Sequence, residues 1–263
     1  MAVLQFEFLS KVLGEMTNVA VALPMTPVGR KMVKEGGRFP VIYLLHGGGG
    51  DCCSFLKETS IERYSRQGNF AVVMPEVRCS YYCDMVYGLP FFQYISEELP
   101  KVIEENFPIR VDREGRFVMG NSMGAQGAIK WALRRPDFFK AAAGMSGIGT
   151  LEELGFMDRF EGDDPRHAPF QAAYGSPEEY MGGDDNIRTL AQKLVESGEK
   201  IPELFSCCGT EDFVYEGCKK FAAYAKSIGL PFAFVESPGA HTYDYWEKWM
   251  RYIINWFGLG EVM

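Results

Sequence analysis

From residue 39 onward the chain repeats one rhythm, a short continuous apolar run followed by a turn and then a longer amphipathic stretch. The apolar runs lie at 40–45, 70–74, 116–119, 141–145, 204–207 and 232–235. Between and after them, stretches at 60–67, 91–106, 125–134, 186–196, 215–228 and 243–256 carry apolar residues at helical spacing. A run that is apolar at every position has no face left for water, so it predicts a strand buried on both sides. Such strands alternating with helices predict an α/β fold: a mostly parallel twisted sheet with helices on both faces.

Two segments depart from that rhythm. Residues 2–9 and 18–23 alternate or are apolar around Gly14 and Glu15, which predicts an antiparallel hairpin at a sheet edge. Residues 149–185 include GFMDRFEGDDPRHAPFQAAYGSPEEYMGGDD, rich in Gly, Pro and Asp, and read as a small lid-like insertion near the mouth of a site. With 263 residues, 47% of them hydrophobic, the chain can bury one large core, and the reading is a single domain spanning 1–263.

Composition removes several classes of function. A formal net charge of −8 with no local run of Lys or Arg opposes binding to nucleic acid or to an anionic membrane. Charged residues interrupt every stretch before it reaches the roughly 18 apolar residues a membrane helix needs. The first residues carry no basic leader with a long apolar run, so no signal peptide is expected. The cysteines number seven, an odd count without a CxxC pair, which predicts free thiols in a reducing cytoplasm and no zinc site.

The chemistry centres on Gly120-Asn121-Ser122-Met123-Gly124, a G-x-S-x-G between the apolar run 116–119 and the helical stretch from 125. A sharp strand-to-helix turn strains the serine backbone, needs glycines beside it, and lifts the hydroxyl above the sheet at a helix N-terminus. This is the context of the nucleophile elbow of the α/β-hydrolase fold, with Ser122 as candidate nucleophile.

A serine hydroxyl needs a base, and the histidines available are His46, His167 and His241. In this fold the order along the chain is serine, acid, histidine, and only His241 follows the last strand candidate. His167 falls in the irregular insertion, and His46 reads as a structural residue shaping the loop that follows it. The acid should follow the penultimate strand, where Glu211 and Asp212 stand side by side, and spacing does not separate them. For the oxyanion, Met123 N–H supplies one donor. Four glycines after the strand candidate 40–45 let backbone approach a substrate, and Gly48, with Gly47 next, is the second donor. The glycine run completes neither dinucleotide nor P-loop spacing, so no cofactor is expected.

In order along the chain stand Leu44-Leu45-His46-Gly47, Ser80-Tyr81-Tyr82-Cys83-Asp84, Tyr94 to Pro100 (YISEELP), the Ser122 pentapeptide, Gly209-Thr210-Glu211-Asp212 and Gly239-Ala240-His241. With these blocks the chain resembles the esterase D family of α/β-hydrolases, related to carbohydrate esterase family 1, and is most similar to tributyrin esterases. The resemblance covers nearly the whole chain. It implies a serine carboxylesterase acting on short acyl esters, with Asp212 as the acid.

The same family includes S-formylglutathione hydrolases, feruloyl esterases and acetyl-xylan esterases, so the implied partner is a small-molecule or carbohydrate ester, with a thioester as the alternative. The glycine run departs from the Gly-Leu-Thr-Cys pattern of the formylglutathione hydrolases, and Gly48-Gly49-Gly50 replaces bulkier residues of similar tributyrin esterases. A binding protein that keeps the fold without chemistry is the reading of another class, and a homo-oligomer is compatible with all of them. Tyr81, Tyr82, Tyr87, Phe91, Phe92 and Tyr94, with Tyr243, Tyr245 and Trp246, are candidates equally for a pocket lining and for the core.

Overall fold

The computed structural model describes residues 2–162, 164, 167–260 and 262. Its strands are β1 (Ala2–Leu9), β2 (Met16–Leu23), β3 (Val41–Leu45), β4 (Ala71–Pro75), β5 (Arg116–Asn121), β6 (Ala141–Met145), β7 (Glu203–Gly209) and β8 (Phe232–Ser237). They form one sheet in the order β1-β2-β4-β3-β5-β6-β7-β8. From β4 to β8 every neighbouring pair is parallel. The hairpin β1–β2 adds to β4 in the antiparallel sense and closes that edge. This is the α/β-hydrolase fold the alternating sequence predicts.

The apolar runs of β3 to β7 are buried on both faces, since successive side chains point to opposite sides of the sheet. The run 232–235 is not, because β8 ends the sheet and its side chains are half-buried or exposed. Val41, Tyr43 and Leu45 join one core with Val118, Ala142, Ile129 and Trp131. Ile42 and Leu44 join the other with Met119, Ala143, Trp249, Met250 and Ile253. The helix Met123–Arg134 covers the first face and is buried along most of its length, which its small residues Gly124, Ala125, Gly127 and Ala128 permit. The amphipathic helix Tyr243–Trp256 covers the second.

The region 91–106 is not one regular helix. Helical turns at Phe91–Gln93 and Leu99–Asn106 flank a π-helical segment at Tyr94–Glu98. Pro100 lacks an N–H and its ring crowds the preceding turn, and a widened turn relieves both.

The stretch 149–185 is more ordered than its composition suggests. It contains a 3₁₀ turn at Met157–Phe160 and helices at Ala168–Tyr174 and Pro177–Gly182. Ser176 and Glu179 form a reciprocal capping box at the second helix. Phe170, Tyr174 and Tyr180 bury against Leu151 and Cys83 in a small core of their own. Lys130, fully buried, reaches Asp185 at 2.8 Å and ties the end of the stretch to the main helix.

Candidate active site

Four loops at the C-terminal ends of β3, β5, β7 and β8 meet above the sheet, the place where parallel α/β sheets hold their ligands. Ser122 stands between β5 and the helix Met123–Arg134 with φ 53° and ψ −120°, a conformation a non-glycine residue adopts only when its surroundings force it. Its N–H donates to the Met145 carbonyl at 2.8 Å, which fixes the turn to β6. The flanking glycines are sterically required. A Cβ on Gly120 would stand 2.4 Å from the Gly124 carbonyl oxygen, and one on Gly124 would stand 2.0 Å from the Leu45 carbonyl oxygen.

The Ser122 hydroxyl lies 2.9 Å from Nε2 of His241, which stands on the loop between β8 and the last helix. Nδ1 of His241 is 2.9 Å from Oδ2 and 3.0 Å from Oδ1 of Asp212, on the loop after β7. The Asp212 side chain is buried, and it accepts a further hydrogen bond from the Val214 N–H at 3.0 Å. Burial works against its ionised form, but the bonds from His241 and Val214 outweigh it and hold the carboxyl below the usual carboxylate range. The geometry thus brings Ser122, His241 and Asp212 into one hydrogen-bonded line. It can pass a proton from the hydroxyl to the imidazole while the carboxylate holds the ring and its tautomer. Two rings fix the imidazole from other sides, Trp246 edge-on at 4.9 Å and Phe213 at 4.6 Å.

Glu211, adjacent to Asp212 in sequence, faces elsewhere. Its carboxylate accepts from the Gly239 N–H and from Thr210 Oγ1, so it fastens the loop that carries His241 rather than touching the imidazole. His167 has Nδ1 on the Glu161 carbonyl at 3.0 Å. His46 is buried, with Nδ1 donating to the Gly47 carbonyl at 2.8 Å and Nε2 accepting from Val77 N–H at 3.3 Å. Both nitrogens are satisfied by the neutral ring, and burial lowers its pKa accordingly. His46 therefore shapes the glycine loop.

That loop lies beside the serine. A Cβ on Gly47 would come within 3.3 Å of Ser122 Cβ, while Gly48 faces the same cavity as Ser122 and His241. Among the described residues neither Met123 N–H nor Gly48 N–H donates a hydrogen bond within the protein. Both are available to an oxyanion at Ser122.

The cavity over Ser122 measures about 450 Å3. Of the aromatic residues singled out in the sequence, only Tyr81 lines it, while Tyr82 and Tyr94 are core and Tyr87 is exposed. Phe156, Phe170 and Tyr174 from the 149–185 stretch supply most of its aromatic wall, with Phe213 beside the histidine. Sequence reasoning missed these rings because the stretch shows no periodicity, although its Phe and Tyr content was a usable signal.

A family model for esterases matches residues 10–254. The chain belongs to the esterase family. It is 26% identical over 260 residues to an acetyl esterase of Caldicellulosiruptor saccharolyticus, covering 97% of this chain and 98% of the relative. The structure of a substrate-bound, fluorophosphonate-binding serine hydrolase of Staphylococcus aureus superposes with a TM-score of 0.88. It shares 31% identity and covers 97% of this chain and 98% of that one. An S-formylglutathione hydrolase from the same organism superposes with a TM-score of 0.86, again at 31% identity and with 97% and 98% coverage. The esterase is a serine carboxylic ester hydrolase within the esterase D and carbohydrate esterase family 1 group. Among its described residues no helix is long and apolar enough to cross a membrane.

Proposed function

We propose that the esterase hydrolyses short-chain acyl esters of a small alcohol or carbohydrate through an acyl-enzyme on Ser122. His241 takes the Ser122 proton as the hydroxyl oxygen attacks the ester carbonyl, and Asp212 stabilises the imidazolium that forms. The N–H groups of Met123 and Gly48 hold the oxyanion. His241 then protonates the departing alcohol, and water enters by the same route to release the acid. The observation that carries this reading is the continuous line from Ser122 Oγ through His241 to the buried Asp212, each step at 2.9–3.0 Å. A cavity of about 450 Å3 walled by Phe156, Phe170 and Tyr174 supports a short acyl group. In this reading the whole chain is one domain, and 149–185 acts as a lid-like wall of the site.

Initial rates on a series of 4-nitrophenyl esters, from acetyl to decanoyl, test the proposal beside the S122A variant. Turnover that falls with acyl length and vanishes in S122A is expected, whereas equal turnover by both proteins would remove Ser122 from the role. A second reading, thioester hydrolysis, is favoured by the likeness to the formylglutathione hydrolase. Competition between an acetyl thioester and an acetyl oxygen ester separates the two.

A further inference from the structure

The cavity over Ser122 is walled by Leu151, Leu154, Phe156, Phe170 and Phe213, yet one permanent cation is built into that wall. Among the described lining residues, Arg159 alone carries a charge that does not titrate near neutrality. Its guanidinium carbon lies 4.1 Å from the Phe156 ring centroid and 4.8 Å from that of Phe170. Two rings that already belong to the wall therefore hold the plane of the guanidinium, which reduces the entropy lost when it engages a ligand.

Beside it stands the Tyr81 hydroxyl. Burial raises that phenol's pKa, and the adjacent Arg159 charge pulls the other way, so the hydroxyl keeps its proton and remains a donor near neutrality. Tyr81 reaches this position from a strained backbone, with φ 53° at a non-glycine residue, and its ring packs at 4.3 Å on Phe170 and 5.6 Å on Tyr174. Lys130 fixes that backbone by donating to the Tyr81 carbonyl at 3.0 Å. The ring contacts and the buried lysine hold Tyr81 next to Arg159 against that strain. A fixed guanidinium and a phenol in an otherwise apolar wall form a donor pair suited to a carboxylate and poorly matched to a hydrocarbon chain.

We infer that Arg159 and Tyr81 form an anion subsite of the catalytic cavity, and that the preferred ester carries a carboxylate away from the bond that is cut. The inference rests on Ser122 being the nucleophile. The chain's overall charge of −8 repels anions in general, so such a preference needs a local cation inside the cavity. The carboxylate can belong to the acyl group or to the alcohol, and two substrate pairs distinguish these.

On the acyl side, mono-4-nitrophenyl succinate is compared with 4-nitrophenyl 4-methylpentanoate, its neutral isostere. On the alcohol side, 4-acetoxybenzoate is compared with 4-isopropylphenyl acetate. The wild-type protein should favour the anionic member of one pair in kcat/KM. Arg159→Gln should lower that anionic-to-neutral ratio by about 10- to 100-fold, the value of a charge-assisted hydrogen bond. Arg159→Lys should restore part of it, because the charge returns without the planar fork. Raised salt should increase KM for the anionic member more than for the neutral one. A wild-type preference for the neutral members of both pairs, or a ratio that Arg159→Gln leaves unchanged, overturns the subsite while leaving Ser122 chemistry standing. Absence of turnover on all four esters, with no labelling of Ser122 by a fluorophosphonate, removes the underlying reading and the subsite with it.

Discussion

His241 meets Asp212 through Nδ1 alone, at 3.0 Å from one carboxylate oxygen and 2.9 Å from the other, and the Asp212 side chain has no exposed surface. The imidazole keeps its second nitrogen for Ser122. Because a carboxylate only accepts, it dictates that Nδ1 carries the proton and Nε2 offers a lone pair.

Replacing Asp212 by Asn removes that dictation, since an amide can also donate and then selects the wrong tautomer. The expected loss in kcat is on the order of 10³- to 10⁴-fold with KM changed only a few-fold, measured by steady-state kinetics on a 4-nitrophenyl ester. Glu211→Gln is the neighbouring control. Its carboxylate holds the Gly239 N–H and not the imidazole, so kcat should fall by less than about tenfold. A larger loss in E211Q than in D212N would reverse the assignment of the acid.

The glycines of the two site loops should differ sharply in tolerance. A Cβ at Gly124 would stand 2.0 Å from backbone oxygen of β3, whereas one at Gly48 meets nothing within 4 Å. Gly124→Ala is therefore expected to yield insoluble protein or a destabilisation above about 3 kcal/mol, seen by thermal unfolding followed by circular dichroism. Gly48→Ala retains its N–H and should fold with a melting temperature close to that of the parent. A well-folded G124A would show that the serine turn can relax in a way its backbone contacts do not suggest.

The strand runs and the G-x-S-x-G were legible in the sequence because their causes are local. Double burial imposes an unbroken apolar run, and the elbow imposes glycines beside Ser122. Which of two adjacent carboxylates faces the imidazole was not legible from spacing, since Glu211 and Asp212 have the same local context, and Asp212 was singled out only by the family resemblance. Their division of labour depends on the loop at 237–242, which lies far along the chain and pairs with Glu211 only after β7 and β8 align. The cavity wall was illegible for a related reason. Phe156 precedes a 3₁₀ turn and Phe170 and Tyr174 sit in one short helix, and their packing partners Tyr81 and Cys83 come from another loop, so no periodicity announces them.

Lys130 and Asp185 supply a test of how that wall is anchored. The lysine is fully buried, with Asp185 at 2.8 Å and the Tyr81 and Tyr82 carbonyls at 3.0 and 3.3 Å, while Arg134 also reaches Asp185 at 3.3 Å. Burial disfavours both charges, yet Lys130 with Arg134 outweighs it at the carboxyl, which is held low, and Asp185 with Cys83 outweighs it at the ammonium, which is held high. Asp185→Asn leaves a buried cation without its main partner, and the expected cost is about 3–5 kcal/mol. At about 2–4 °C per kcal/mol for a chain of this size, the melting temperature should drop by roughly 6–20 °C. The double variant Lys130→Met with Asp185→Asn should recover part of that, because no charge is then stranded. The sign of the pH dependence follows from the shifts. A carboxyl with a depressed folded pKa gives its full stabilisation above its unfolded value, about 4, and loses it as pH falls through the folded value. The raised lysine gives its share below about 10.4 and loses it only as pH rises through its folded value. The gap in melting temperature between the parent and D185N should thus hold steady from about pH 5 to 9 and narrow in acid, where the parent's own Asp185 takes up a proton. A gap that widens in acid would mean that the pair does not carry the ionisation its geometry implies.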